Sequence, residues 1–392
     1  MSFSRLLKMT FWQWVFLVLM AAGLYATAVR VWGGLGAATN LSDRFPWGLW
    51  IGFDILCGVG LAAGGFTLAA TVHIFNLERY KPITRPAILT AFLGYVLVIV
   101  ALMYDLGRPY RIWHALVMWN PRSVMFEVAW CVMLYTTVLF LEFLPAVFER
   151  LGWKMPLKWL RAVMMPLVIL GVILSTLHQS SLGSLYLIVP TKLYPLWYTP
   201  MLPVFFYASA LCAGLAMTIF ESWHSSRAFH KQLELPLLAG IARVLAVGLL
   251  VYLVMRFLDL AKRGVLGLVL VPRTETYLFA LEICLMLLPM LLLFRSHVRT
   301  NPRALYASAV MVLFGFVANR LNVSVTGMEA GSGTSYVPKW TEVAVTLGII
   351  AAGFAIFRLA VQYLPIFEKE PAAESRWAEA SGVRKPQLVS GD

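Results

Sequence analysis

Seven of the ionisable residues inside long apolar runs stand out as candidates for chemistry: Asp54, Glu127, His178, Arg256, Asp259, Glu282 and Arg320. If such runs cross a membrane, each charge there costs about 3 kcal/mol or more, so an ionisable residue marks function by default. Asp54 and Glu127 suit proton relay. His178 suits hydrogen bonding to a carbonyl oxygen. Arg256 and Arg320 would tune those carboxylates or balance negative charge on a bound ring. Structural readings stand beside these. Arg256 and Asp259 are i,i+3 neighbours that can neutralise one another. Glu282 and Arg320 can simply hydrogen-bond adjacent helices.

The elements that must position these residues follow from composition. The 392 residues are 60% hydrophobic and 13% charged, with mean hydropathy +0.77. A soluble surface needs more charge than that. Apolar runs of roughly twenty residues recur along the whole length, enough to cross ~30 Å of hydrocarbon as helices. The period-two alternation of barrel strands is absent. We read an all-α bundle of ten spans, near 10–32, 47–75, 83–105, 122–148, 158–180, 199–222, 236–261, 274–294, 302–325 and 339–363, in a membrane domain over 1–367. A polar tail over 368–392 follows. The N-terminal run resembles a secretory leader but is longer than a typical leader core, so it reads as an uncleaved first span.

An even number of spans puts both termini on one side. Eighteen Lys and Arg fall on that side and eleven on the other, so the termini are expected to be cytoplasmic. The formal charge of +13 then reads as topology signalling and lipid contact rather than nucleic-acid binding. On this topology all seven residues fall in the non-cytoplasmic third, aimed from six helices at one level.

Near the opposite ends lie His73, Glu142 and Glu221. Glu127 and Glu142 share the fourth span, ~22 Å apart along its axis. They could begin and end a proton route, with His73 a further weak candidate. The simpler reading has Glu142 and Glu221 reaching interfacial water. A b-type haem needs two histidines facing each other at matched depth. His73 and His178 lie in opposite leaflets, and His114, His224, His230 and His297 fall in loops, so haem is not expected. Cys57, Cys131, Cys212 and Cys284 lie singly, with no iron–sulfur or metal-ligand spacing. A quinone suits what remains. Its tail needs apolar walls, and its carbonyls need hydrogen-bond donors and a proton source or sink. Trp47, Gly48, Trp50 and Gly52 would pack its ring.

Phe45-Pro46-Trp47-Gly48-Leu49-Trp50-Ile51-Gly52-Phe53-Asp54 resembles the second-span motif of the NrfD/HybB family. So do Leu141-Glu142-Phe143 through Glu149-Arg150-Leu151-Gly152-Trp153-Lys154, and His178-Gln179-Ser180-Ser181-Leu182-Gly183-Ser184. The match continues in order through Pro195-Leu196-Trp197, Arg256-Phe257, Glu282 and Arg320-Leu321. It implies a quinone-binding (menaquinone or ubiquinone) subunit of the bacterial inner membrane. It also implies partners: a periplasmic ferredoxin-like iron–sulfur protein and a catalytic subunit, such as a nickel–iron hydrogenase. Members are often labelled b-type cytochromes. The segment Pro190–Pro200 departs from the hydrogenase-linked pattern and is similar to members of sulfur-metabolism and multihaem-cytochrome complexes.

The expectation is therefore a multi-pass subunit, not catalytic alone, that passes electrons between an external iron–sulfur partner and quinone, with proton coupling. Asp54 and Glu127 relay protons and His178 bonds a quinone carbonyl. The rivals are a b-type cytochrome anchor without a quinone site, and a secondary transporter. A transporter would carry broken helices at the midplane and two related halves, which the sequence does not display.

Overall fold

The computed structural model describes residues 10–189 and 191–367. The expected tail over 368–392, Pro190, and six of the basic residues counted for topology (Arg5, Lys8, Lys369, Arg376, Arg384, Lys385) lie outside the described residues. Among those described, ten helices are long and apolar enough to cross a membrane. They are α1 (Phe11–Ala38), α2 (Trp50–His73), α3 (Glu78–Asp105), α4 (Val124–Leu151), α5 (Met164–Ile188), α6 (Leu202–Ala228), α7 (Leu235–Lys262), α8 (Thr274–Phe294), α9 (Pro302–Ser332) and α10 (Trp340–Tyr363). All ten expected spans are present. Both ends of the described chain lie on one side, here the terminal face; the other is the far face.

Each span turns its apolar residues outward as well as inward, because lipid tails rather than water surround it. In α7, Val244, Val247, Val251, Val254 and Leu258 are exposed at helical spacing, while Leu245, Leu249, Tyr252 and Arg256 are buried. The aliphatic residues thus occupy both faces, and the buried face also carries Arg256, unlike a soluble helix.

Helices α2–α5 pack in sequence as one four-helix bundle, and α6–α9 repeat that order as a second. Two similarly connected halves therefore exist, although the sequence did not display them. Helix α6 joins the bundles through α2 and α5, while α1 and α10 pair with each other and α10 lies on α3. Small residues permit the closest approaches. A Cβ on Gly23 of α1 would come within 3.1 Å of Gly348 Cα on α10, and one on Gly64 of α2 within 2.7 Å of the Gly214 carbonyl on α6.

Two spans depart from regular α geometry near the far face. Trp50–Ile55 and Asn322–Thr326 are π-helical, and a Cβ on Gly52 would run into Ser324 Oγ, so the two segments touch. Such π turns often occur at functional sites. Two span boundaries differ from expectation. Lys154–Ala162 is a separate short helix with Lys154, Lys158 and Arg161 on it and Met155 and Trp159 exposed, the composition of a segment lying in the membrane interface. The fifth span therefore begins at Met164 and runs to Ile188. The ninth continues past Arg320 through its π segment to Ser332. His178 and Arg320 thus sit ten and twelve residues from their far-face ends, ~15 and ~18 Å deep. Asp54, four residues into α2, is only ~6 Å deep. The seven polar residues do not share one level.

Candidate functional site

A cavity of about 970 Å³ opens between α2, α3, α6 and α10. Its volume is at the upper end of ordinary ligand sites. Leu93, Gly94, Leu97, Val98 and Ala101 present one face of α3 to it, and Leu61, Ile349 and Phe354 continue the apolar wall. Asp54 lines it near the far face; Glu221, His224 and Arg358 line it toward the terminal face. The cavity therefore runs through most of the membrane's depth. Glu221 is not the interfacial residue it seemed. It lies seven residues inside the end of α6, ~10 Å deep, and faces this cavity.

The π turn aims the buried Asp54 at α10, where its Oδ2 accepts from Thr346 Oγ1 at 2.8 Å. Three charged residues outside the expected site lie at the same end: Trp50 of α2 packs edge-on to Tyr104 of α3, beside Asp105, and donates to the Glu342 carbonyl of α10, while Arg30 of α1 reaches the same turn of α3. Asp105 is the last residue of α3. Arg30 lies within α1, donating from Nε to the Tyr104 carbonyl at 2.7 Å and from Nη2 to the Leu106 carbonyl at 2.6 Å. Glu342 accepts at Oε1 from the backbone N–H groups of Asn40 (2.8 Å) and Lys339 (3.0 Å), and at Oε2 from the Tyr336 hydroxyl. Tyr336 lies in the far-face loop. Burial and the Glu342 carboxylate push its phenol above the usual range, so it stays a donor.

His178 belongs to a different compartment. It is fully buried inside the first bundle. Its Nδ1 lies 2.7 Å from the Leu174 carbonyl, and its Nε2 meets the Tyr95 hydroxyl. A carbonyl only accepts, so Nδ1 carries the proton and Nε2 accepts from Tyr95. Tyr135 packs beside both rings, and Gln179 donates to the Val59 carbonyl at 3.0 Å. Glu142 lies on the same interior, close enough that a Cβ on Gly171 would be 3.5 Å from its Oε1. Glu127, in the first turn of α4, is exposed and accepts from Ser181 Oγ at 2.6 Å.

The second bundle holds a third cluster. Glu282 accepts from Trp197 Nε1 (2.9 Å), Asn319 Nδ2 (2.7 Å) and Asn322 Nδ2 (2.9 Å). Arg320 donates to Asn319 Oδ1, the Phe206 carbonyl and Ser209 Oγ, with its guanidinium 3.7 Å from the Phe206 ring centroid. Arg256 donates to the Leu196 carbonyl and faces the Phe205 and Phe279 rings. It does not neutralise Asp259, which accepts from Thr199 at 2.8 Å and from Arg263 Nε at 2.9 Å.

Of the expected site residues, then, the structure sets Arg256, Glu282 and Arg320 in the second bundle, Glu282 on Trp197, Arg256 over Phe279 and Arg320 linked to Glu282 through Asn319, with Asp259 on Thr199. It distributes Asp54, Glu127 and His178 among separate partners, with only Asp54 on the cavity. Trp50 donates from its indole to the Glu342 carbonyl, and Trp47 packs edge-on to Tyr186; neither lines the cavity. His73 closes the terminal-face end of α2, apart from Glu142. His224, expected in a loop, lies within α6 and bonds the Tyr306 hydroxyl. Sequence reasoning missed Arg30, Asp105, Thr346 and Tyr95. Arg30 was the detectable signal: it falls inside the expected first span, but counts in the sequence only as one of the basic residues that set topology.

The donor set also tests haem. His178 is the histidine at mid-depth among the described residues, and both its ring nitrogens are engaged. The residues do not fit a bis-histidine haem. No group of three His, Cys, Asp or Glu that could hold a metal ion occurs among the described residues.

A family model described as polysulphide reductase NrfD matches residues 37–329. The chain is 36% identical over 338 residues to the probable Ni/Fe-hydrogenase 2 b-type cytochrome subunit of Escherichia coli, covering 85% of this chain and 86% of that protein. It is 30% identical over 396 residues to the menaquinone reductase integral membrane subunit of Nitratidesulfovibrio vulgaris, covering 93% of each. It is also 26% identical over 228 residues to the Hdr-like menaquinol oxidoreductase integral membrane subunit of Archaeoglobus fulgidus, covering 58% of this chain and 53% of that one.

Proposed function

The chain belongs to the NrfD family, and from that premise we propose that it is the quinone-reactive membrane subunit of a multi-subunit oxidoreductase. It is a multi-pass protein of the bacterial inner membrane; we read the terminal face as cytoplasmic and the far face as periplasmic. The observation that carries the proposal is the 970 Å³ cavity with Asp54 at its far-face end. A quinone, when bound, supplies a two-electron, two-proton couple. The walls from α3 and α10 suit an isoprenoid tail and exclude water. The Asp54 carboxyl, held by Thr346, is the group placed to hold or release a proton at the ring end.

Among the described residues no group of three His, Cys, Asp or Glu could hold a metal ion, and in this reading the electrons come from an external partner. A periplasmic ferredoxin-like iron–sulfur protein on the far face, joined to a catalytic subunit, fits Asp54's shallow depth. The relatives support membership of a multi-subunit complex, being named as a b-type cytochrome subunit of a hydrogenase and as integral membrane subunits of a menaquinone reductase and a menaquinol oxidoreductase. Glu127, also near the far face, remains a candidate for proton exchange along α4 and α5. His178, with its Nε2 occupied, serves through Tyr95 by holding the first bundle together.

The test is binding of a hydroxyquinoline N-oxide, a quinone analogue, to the purified chain. Wild type should bind. Asp54→Asn should weaken binding about tenfold, the loss of one hydrogen bond involving a charged group, ~1.4 kcal/mol. Equal binding by both would remove Asp54 from the site.

A further inference from the structure

We propose that Asp105 is the group through which Asp54 exchanges protons with the far-face solution, with Arg30 as its positioning residue. This rests on the reading of the Asp54 end as a quinone ring site.

Three carboxylates lie at the same far-face end of three neighbouring helices, Asp54 of α2, Asp105 of α3 and Glu342 of α10: Trp50 of α2 packs edge-on to Tyr104, the neighbour of Asp105, with ring centroids 6.0 Å apart, and donates to the Glu342 carbonyl at 3.2 Å. They are not equivalent. Glu342 is saturated, its two oxygens accepting from Asn40, Lys339 and Tyr336. Asp54 faces the cavity and is tied by Thr346. Asp105 alone of the three has an enclosed oxygen, Oδ1, with no hydrogen-bond partner. Leaving such an acceptor unpaired is unfavourable unless something is gained by it. Its place adds to the cost, because a carboxylate at a helix C-terminus meets the negative end of the helix dipole. Neither packing nor capping explains Asp105.

Arg30 is the cation on the α1 side. Rather than closing an ion pair with Asp105, it donates to the backbone carbonyls on either side of it, those of Tyr104 and Leu106. Among the described residues, no ion pair within 4.0 Å joins the two. The guanidinium therefore fixes the Asp105 backbone, yet leaves the oxygen open to take a proton. Because Asp105 ends α3, it is also the one of the pair nearer the far-face solution.

The step is a proton transfer only. An O–H bond of the Asp54 carboxyl breaks, and an O–H bond forms on the Asp105 carboxylate, directly or across water. Asp105 then returns its proton to solution, and no electron moves. The charged groups acting on Asp105 are Arg30 from α1, Asp54 from α2 and Glu342 from α10; the neutral Tyr336 hydroxyl lies beyond Glu342.

The experiment uses the assembled complex in its membrane, with Asp105→Asn and Asp105→Glu. Hydroxyquinoline N-oxide binding and quinone-linked turnover are measured together, the latter in H₂O and D₂O. The expected result for Asp105→Asn is unchanged analogue affinity, turnover lowered about a hundredfold and a larger solvent isotope effect. Asp105→Glu should restore most of the rate. If Asp105→Asn fails to assemble, Asp105→Ser replaces it with the same expectation. Turnover at the wild-type level with an unchanged isotope effect would overturn the proposal, as would joint loss of analogue binding and turnover. Failure of the underlying reading looks different: wild type itself would not bind the analogue.

Discussion

Gly94 and Tyr95 are consecutive in α3 yet face different compartments. Gly94 forms part of the cavity wall, while the Tyr95 hydroxyl meets His178 inside the first bundle. Helix α3 is therefore a partition, and substitutions on its two faces should separate ligand binding from stability.

On the cavity face, Leu97→Trp adds bulk without changing charge. Quinone-analogue affinity should fall about tenfold, ~1.4 kcal/mol, with little change in melting temperature because the added ring has empty volume to occupy. A drop in melting temperature with affinity intact would mean that the cavity is not where the analogue sits.

On the interior face, Tyr95→Phe leaves His178 Nε2 buried and unpaired. The expected cost is about 1–3 kcal/mol of stability, read as a lower melting temperature. Analogue affinity should be unaffected. If affinity collapsed instead, His178 would belong to the ligand site after all.

In the second bundle, Glu282→Ala orphans three donors, those of Trp197, Asn319 and Asn322, and leaves Arg320 without a nearby anion. Loss of one partner from a buried charge network costs about 3–5 kcal/mol. Glu282→Gln, which keeps an acceptor, should cost less. Thermal melting of the two variants checks the order. Equal melting temperatures would show that these bonds contribute little.

Because both His178 ring nitrogens are engaged, the purified chain should show no Soret absorption. A Soret band in wild type that disappears in His178→Ala would contradict the neutral, doubly bonded histidine described here.

Much of this was legible in the sequence. The ten spans followed from apolar runs, and Asp54 from a carboxylate within one. Its cavity was not legible, because four helices distant in sequence create it. Asp105 and Glu342 escaped notice because charges at span ends look like ordinary loop charges. Tyr95 escaped because tyrosine is unremarkable in a membrane helix, and only folding sets its hydroxyl on His178. The depth of His178 was misjudged by one interfacial helix. Trp159 and Leu160 extended the fifth span backward on paper, whereas Lys154, Lys158 and Arg161 keep that segment at the surface.

The central claim, that the cavity between α2, α3, α6 and α10 holds quinone, is tested most directly by photolabelling. An azidoquinone is irradiated with the assembled complex, and the labelled peptides are identified by mass spectrometry. The account predicts label on the cavity faces of α2, α3 and α10, around Asp54, Leu97 and Ile349, suppressed by excess unlabelled quinone. Competable label confined to the second bundle, around Glu282 and Arg320, would contradict it.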